Sequence, residues 1–254
     1  MYPVLRLELK IVCWITMKLF TLYVGSVPRK QSLTAVTLRL LQELLAPTFA
    51  SFTVVEGEGV FRGQAERAFV VKVTTFDAPT FLREVEKLRD NLDQEGIGIE
   101  HEGRYHRVIE GGDVRKLMQD MYPRIRAEYF DTVFQTQIPG SNWPARFAVI
   151  TAWNPEGEKQ NNSTNEACHS LLLSHCASLG ISHWNVTGCS PELQHREPGI
   201  GIESTLSDAI SIGRKFGQEA IYWVEDGHLL LVSCQFNVEV PLGDWESRLC
   251  KPIR

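Results

Sequence analysis

The spacing of apolar residues in the first half of the chain changes in a regular order, and this order restricts the possible folds. Residues 33–44 place leucines and valine at helical spacing, whereas residues 69–74 alternate in the period of a half-buried strand. The predicted elements are a strand at 18–25, a helix at 32–45, strands at 50–61 and 66–76, a helix at 79–94 and a strand at 97–108. The order is therefore βαββαβ.

This order, with two helices on one face of an antiparallel sheet, is that of the ferredoxin-like arrangement. A loop and a helical stretch broken at Pro123 follow. The second half repeats the pattern in outline, with a strand at 146–153, a helix at 164–179, strands at 183–188 and 199–203, a helix at 206–219 and a hairpin at 220–225 and 228–235.

The two halves together predict an α+β protein made of two α/β-sandwich domains. The first domain, residues 17–112, is expected to be ferredoxin-like. The second, residues 113–254, is expected to form a similar mixed sheet with two main helices. Such folds bind ligands, dimerise or catalyse, so the architecture alone assigns no function.

The composition is that of an average soluble globular protein, with 254 residues of which 43% are hydrophobic and 22% charged. The formal net charge of −5 disfavours a broad DNA- or RNA-binding surface, so no nucleic-acid partner is expected. The six cysteines contain no CxxC pair, and their spacing to nearby histidines matches no zinc pattern. We therefore expect a protein of the reducing cytoplasm that holds no metal and no cofactor.

The first sixteen residues lack the uninterrupted apolar core of a signal peptide, because charges at Arg6, Glu8 and Lys10 break it. No later stretch reaches 18 apolar residues, so no membrane association is expected. Since Met17 resembles a natural domain start, residues 1–16 are interpreted as an extension. The alternative is an extra edge strand over residues 4–12.

Four polar or aromatic features of the second half are candidates for a site. Trp153 and Asn154 end a strand at the edge of the sheet where ligands enter α/β layers, although an internal turn would explain them equally. Asn165 lies in the first turn of the next helix, where free amides can bind an anion unless a cap formed by Ser163 and Glu166 occupies them.

The other two features are an acid–base pair and a cationic helix face. His195 and Glu197 would share a face of an extended chain, so the carboxylate could orient the imidazole as a catalytic pair; a surface turn is the simpler explanation. Arg214 and Gln218 form an i, i+4 pair, and the guanidinium could pair with Glu197 or hold an anion.

Residues 129–234 resemble the bacterial domain of unknown function 3293. The resemblance rests on Ile150 to Pro155, Asn165, His195 to Pro198 and Gly213 to Ile221, and it departs where Gly199 replaces an expected serine. This resemblance implies no activity, and the first half of the chain lies outside it.

Three functions remain compatible with these residues. The favoured one is a non-enzymatic regulatory protein that binds a small polar or anionic ligand through Trp153, Asn154, Asn165, Arg214 and Gln218. Its first sheet could also form a homodimer or bind a protein partner. The alternatives are an enzyme that acts on a nucleotide-like or other anionic substrate through His195 and Glu197, and a purely structural interaction module.

Overall fold

The computed structural model describes residues 17–25, 35–47, 49, 51–61, 64–75, 77–109, 111–136, 143–236 and 238–250. The interpretation of residues 1–16 therefore lies outside the described residues. The described part confirms an α+β protein with two sheets and five helices. Within it, no helix is both long enough and apolar enough to cross a membrane.

The described residues of the first half form a five-stranded antiparallel sheet. Its elements are β1 (Lys18–Gly25), α1 (Ala35–Leu45), β2 (Phe52–Phe61), β3 (Gln64–Thr75), α2 (Ala78–Asn91), β4 (Ile97–His101) and β5 (Arg104–Val108). The strand order β2-β3-β1-β4-β5 contains the ferredoxin-like order, extended by one strand. Residues 97–108 are a hairpin and not the single strand expected, because Glu102 and Gly103 turn the chain with φ of 50° and 72°.

A helix and a short strand connect the halves. Helix α3 (Gly111–Met121) ends before Pro123, as the proline predicts. A 3₁₀ turn at Ala127–Asp131 and strand β6 (Val133–Thr136) follow.

The described residues of the second half form a seven-stranded sheet. Its further elements are β7 (Arg146–Thr151), α4 (Asn162–Ser178), β8 (His183–Cys189), β9 (Arg196–Ile202), α5 (Leu206–Lys215), β10 (Ala220–Glu225), β11 (His228–Ser233) and β12 (Glu239–Asp244). The strand order is β12-β11-β10-β7-β9-β8-β6. Strands β10-β7-β9-β8 repeat the order of β4-β1-β3-β2, so both halves share one topology. Every pair of named strands in this sheet is antiparallel. A mixed sheet was expected, but the second βαββαβ unit has the same strand directions as the first.

Alternate residues of the second sheet enter two different cores. Ala148 and Ile150 of β7 pack with residues of α4 and α5, whereas Phe147 and Val149 join a core that includes Phe81 of α2. The guanidinium of Arg83 on α2 also donates to the carbonyl of Leu242 on β12 at 3.1 Å. One apolar core is therefore continuous across residue 112, and the domain boundary at that residue stays a prediction.

Candidate ligand-binding site

The chain turns a corner at the end of β7, where the backbone of Asn154 adopts a left-handed conformation. Thr151 donates its hydroxyl to the carbonyl of Pro198 at 2.8 Å and accepts from the backbone N–H of Trp153 at 3.0 Å. Asn154 then has a φ of 48°, a conformation that asparagine tolerates better than most residues. The chain turns there into a short 3₁₀ segment, Pro155–Gly157.

Two asparagines join this corner to the start of α4. The side-chain oxygen of Asn165 accepts from the backbone N–H of Asn154 at 2.8 Å, and its amide donates to Oδ1 of Asn154 at 3.0 Å. The same Oδ1 accepts from the backbone of Gln160 at 3.0 Å. Asn165 is 2% exposed, so its hydrogen bonds connect the corner to α4 in a buried environment.

Helix α4 begins differently from the capping box that Ser163 and Glu166 suggested. Asn161 is the N-cap, and its side chain accepts from the backbone N–H of Thr164 at 2.9 Å. The first turn of α4 therefore uses one of its amides for capping, and Asn165 bonds to the corner.

His195 and Glu197, which the sequence suggested as an acid–base pair, are in contact at the start of β9. Glu197 Oε1 accepts from the Asn154 side-chain amide at 2.6 Å and lies 3.1 Å from Nε2 of His195. The imidazole is 65% exposed, whereas the carboxylate is 25% exposed. We call Asn154, Asn165, His195 and Glu197 the asparagine network. It ties the corner, α4 and β9 together.

Arg214 and Gln218 lie outside this network. Helix α5 ends at Lys215 because Gly217 adopts a φ of 66°, so the two residues are not an i, i+4 helical pair. Arg214 Nε donates to the carbonyl of Cys234 and does not reach Glu197. Gln218 is buried, and its amide donates to the carbonyls of Trp153 and Phe216, each at 3.2 Å.

Trp153 contributes mainly its backbone to the site. Its carbonyl accepts from Gln218, and its indole N–H is buried without a partner among the described residues.

Arg126, which the sequence did not indicate, also contacts the corner. Arg126 donates to the carbonyls of Glu156 at 3.3 Å and Gly157 at 3.1 Å. It also forms a two-pronged ion pair with Glu219, at 2.9 Å and 3.0 Å. Burial raises the pKa of Tyr129 above its ordinary range, and the carboxylates of Glu219 and Glu197 raise it further.

Arg126 and Glu219 also line a cavity of about 480 Å³. We call it the arginine cavity; its other lining residues are Gln119, Pro123, Arg124, Ile125, Ala127, Glu128, Ser233, Gln235 and Phe236. The guanidinium of Arg124 lies 4.7 Å from the centre of the Phe236 ring. Arg124 forms no ion pair with any carboxylate in the described part of the chain.

The chemistry next to the cavity does not favour a thiol nucleophile. Cys234 is buried, and burial raises the pKa of its thiol to about 11, although Arg214 opposes this shift. At neutral pH the thiol is therefore protonated. In the ranges that the structure describes, no group of three or more histidine, cysteine, aspartate or glutamate side chains could hold a metal ion.

Comparison of the chain with curated proteins and with solved structures found no match. A family model described as a protein of unknown function (DUF3293) matches residues 150–221. The match is shorter than the 129–234 expected from the motifs, but it contains all four of them. It also contains the whole asparagine network, whereas Arg124, Arg126 and Phe236 lie outside it. Residues 150–221 therefore resemble the DUF3293 family, whose description names no function.

Proposed function

We propose that this chain is a non-enzymatic regulatory protein that binds a small anionic ligand in the arginine cavity, next to the asparagine network. The cavity of about 480 Å³ falls within the range of roughly 300–1,000 Å³ typical of small-ligand sites. It combines two guanidinium groups with an exposed aromatic ring and the polar side chains of Ser233 and Gln235.

The observation that carries this proposal is that Arg124 lines the cavity without forming an ion pair among the described residues. Its neighbour Arg126 is neutralised by Glu219, but Arg124 is stacked on Phe236 and has no carboxylate partner among the described residues. A guanidinium that lines a cavity in this way can hold a carboxylate or phosphate with two parallel hydrogen bonds.

Binding is favoured over catalysis by the way the asparagine network is satisfied. Glu197 Oε1 already accepts from Asn154 and contacts His195, so the carboxylate is used to fix the corner. The imidazole of His195 is 65% exposed, whereas a general base acts best where water is excluded from the reacting atoms.

Calorimetric titration with inorganic phosphate tests the proposal. The wild-type protein should show saturable binding, and Arg124→Ala should weaken it by roughly 10- to 100-fold, the worth of a charge-assisted contact of about 1.5–3 kcal/mol. Arg104→Ala is the matched control, because Arg104 is an exposed arginine of β5 that does not line the cavity. Equal affinities for the wild type and Arg124→Ala would remove the basis of the proposal.

The second candidate function is an enzyme acting on a nucleotide-like or other anionic substrate. The contact of 3.1 Å between His195 and Glu197 is the observation that favours it. Phosphate release from nucleoside phosphates that occurs with the wild type and is lost in His195→Ala would establish this alternative. Under the binding proposal neither protein releases phosphate, and His195→Ala binds it within about twofold of the wild type.

Two further features support a cytoplasmic location and a protein partner for this chain. The described cysteines Cys168, Cys176, Cys189, Cys234 and Cys250 are free thiols, which supports a reducing compartment such as the cytoplasm. The first sheet also exposes Leu19, Val55 and Tyr105, a surface that could receive a partner protein.

A further inference from the structure

The outer face of the first sheet carries apolar side chains in solvent. Along β1 the residues Phe20 and Leu22 are fully buried under the helices, so Thr21 and Tyr23 point to the opposite face. On this outer face, the side chain of Leu19 is 54% exposed, that of Val55 51% and that of Tyr105 63%. Exposed apolar side chains gathered on one face are typical of an interaction surface.

The charges on this face lie on both sides of its central strand. Thr21 of β1 is paired with Lys72 of β3 on one side and with Glu100 of β4 on the other. Lys72 is exposed and lies between the buried Val71 and Val73, so its side chain belongs to the outer face. Glu100 is held on the same face by the hydroxyl of Tyr23, which donates to it at 2.6 Å.

The row Lys72, Thr21 and Glu100 is self-complementary. Neighbouring strands are about 4.8 Å apart, so the lysine and the glutamate stand at about equal distances from β1. A two-fold axis parallel to β1, between two facing sheets, exchanges these two positions. Lys72 of each protomer then faces Glu100 of its partner.

We propose that this face binds a second copy of the chain in a two-fold dimer whose axis runs parallel to β1. The proposal names the partner for the regulatory protein proposed above, and it does not depend on the arginine cavity. A two-fold axis perpendicular to β1 and centred on the same row places Lys72 against Lys72 and Glu100 against Glu100. Like charges opposed in this way disfavour that arrangement.

The size of the face sets the strength of the dimer. Five strands at about 4.8 Å and about seven residues at roughly 3.3 Å give a face on the order of 500 Å². Standard interfaces bury about 800 Å² on each partner, so the dimer is a weak one with a dissociation constant in the micromolar range.

Sedimentation velocity of the full chain over a range of about 1–300 µM tests this inference. The wild type should pass from monomer to dimer within that range. Lys72→Glu and Glu100→Lys should each weaken the dimer by about tenfold or more, because each variant opposes two pairs of like charges. Lys116→Glu on α3 changes the net charge by the same amount as Lys72→Glu and should dimerise like the wild type, since Lys116 is exposed on a helix.

Mixing the two weakened variants distinguishes a specific interface from a general loss of stability. When Lys72→Glu meets Glu100→Lys, opposite charges face each other at both contacts, so a heterodimer should form at wild-type affinity. A wild type that stays monomeric at every concentration overturns the inference, as does a mixture that fails to associate. Phosphate titration of the same monomeric variants separates the proposals, because ligand binding by the arginine cavity should persist in them.

Discussion

Replacing Asn165 by alanine removes the side-chain hydrogen bonds that connect the β7 corner to helix α4. Two hydrogen bonds to Asn154 are lost, one from its backbone N–H at 2.8 Å and one to its side-chain oxygen at 3.0 Å. Because Asn165 is 2% exposed, water cannot easily replace the missing groups. The backbone N–H of Asn154 is then left without its acceptor.

The magnitude follows from these contacts. Each hydrogen bond contributes about 1 kcal/mol net, and an unsatisfied buried donor costs about 1–3 kcal/mol. We therefore expect the free energy of unfolding to fall by about 2–4 kcal/mol. For a chain of this size, such a change lowers the melting temperature by roughly 5–12 °C.

Thermal unfolding followed by circular dichroism measures this effect. Asn162→Ala is the matched control, because Asn162 lies exposed in the first turn of the same helix. The control should melt within about 2 °C of the wild type. If Asn165→Ala melts together with Asn162→Ala, the asparagine network does not stabilise the fold and the reasoning is refuted.

Two further predictions concern Gly199 of β9 and Cys234, the residue that follows β11. Gly199→Ala should lower the free energy of unfolding by about 1–3 kcal/mol, because its Cβ would lie 2.7 Å from the carbonyl oxygen of Ile150. Gly57→Ala, with nothing within 4 Å of its Cβ, should be nearly neutral, and equal denaturation midpoints for the two variants would contradict this account. For Cys234, burial raises the thiol pKa from 9.0 to about 11, so between these values the unfolded chain loses a proton that the native chain keeps, and stability falls as pH rises. In urea titrations at about pH 8 and about pH 10.5, Cys234→Ala should lose less stability than the wild type; identical losses would show that this thiol does not contribute.

The sequence predicted elements better than their ends. Helical spacing in α2 and strand alternation in β3 are local signals, so they identified these elements correctly. The hairpin of β4 and β5 was missed because its turn depends on Glu102 adopting a positive φ, which the sequence does not indicate. The helix predicted at 206–219 is shorter in the structure, because Gly217 adopts a φ of 66° and α5 ends at Lys215.

The candidate site was predictable only where its residues lie close together in the chain. Glu197 lies in β9 and His195 directly precedes that strand, so their contact follows from the two-residue spacing of an extended chain. Arg126 contacts Glu156 and Gly157, about thirty positions away in the chain. Contacts across such distances are set by how the sheets and helices pack, and one sequence carries no local pattern for them.

Chemical-shift mapping with inorganic phosphate tests the central claim most directly, that the arginine cavity beside the asparagine network is the ligand site. The account predicts that amide signals of residues 124–128 and 233–236 shift in a saturable manner, while those of the first sheet stay unchanged. Saturable shifts that avoid both segments, or none at all, would contradict it.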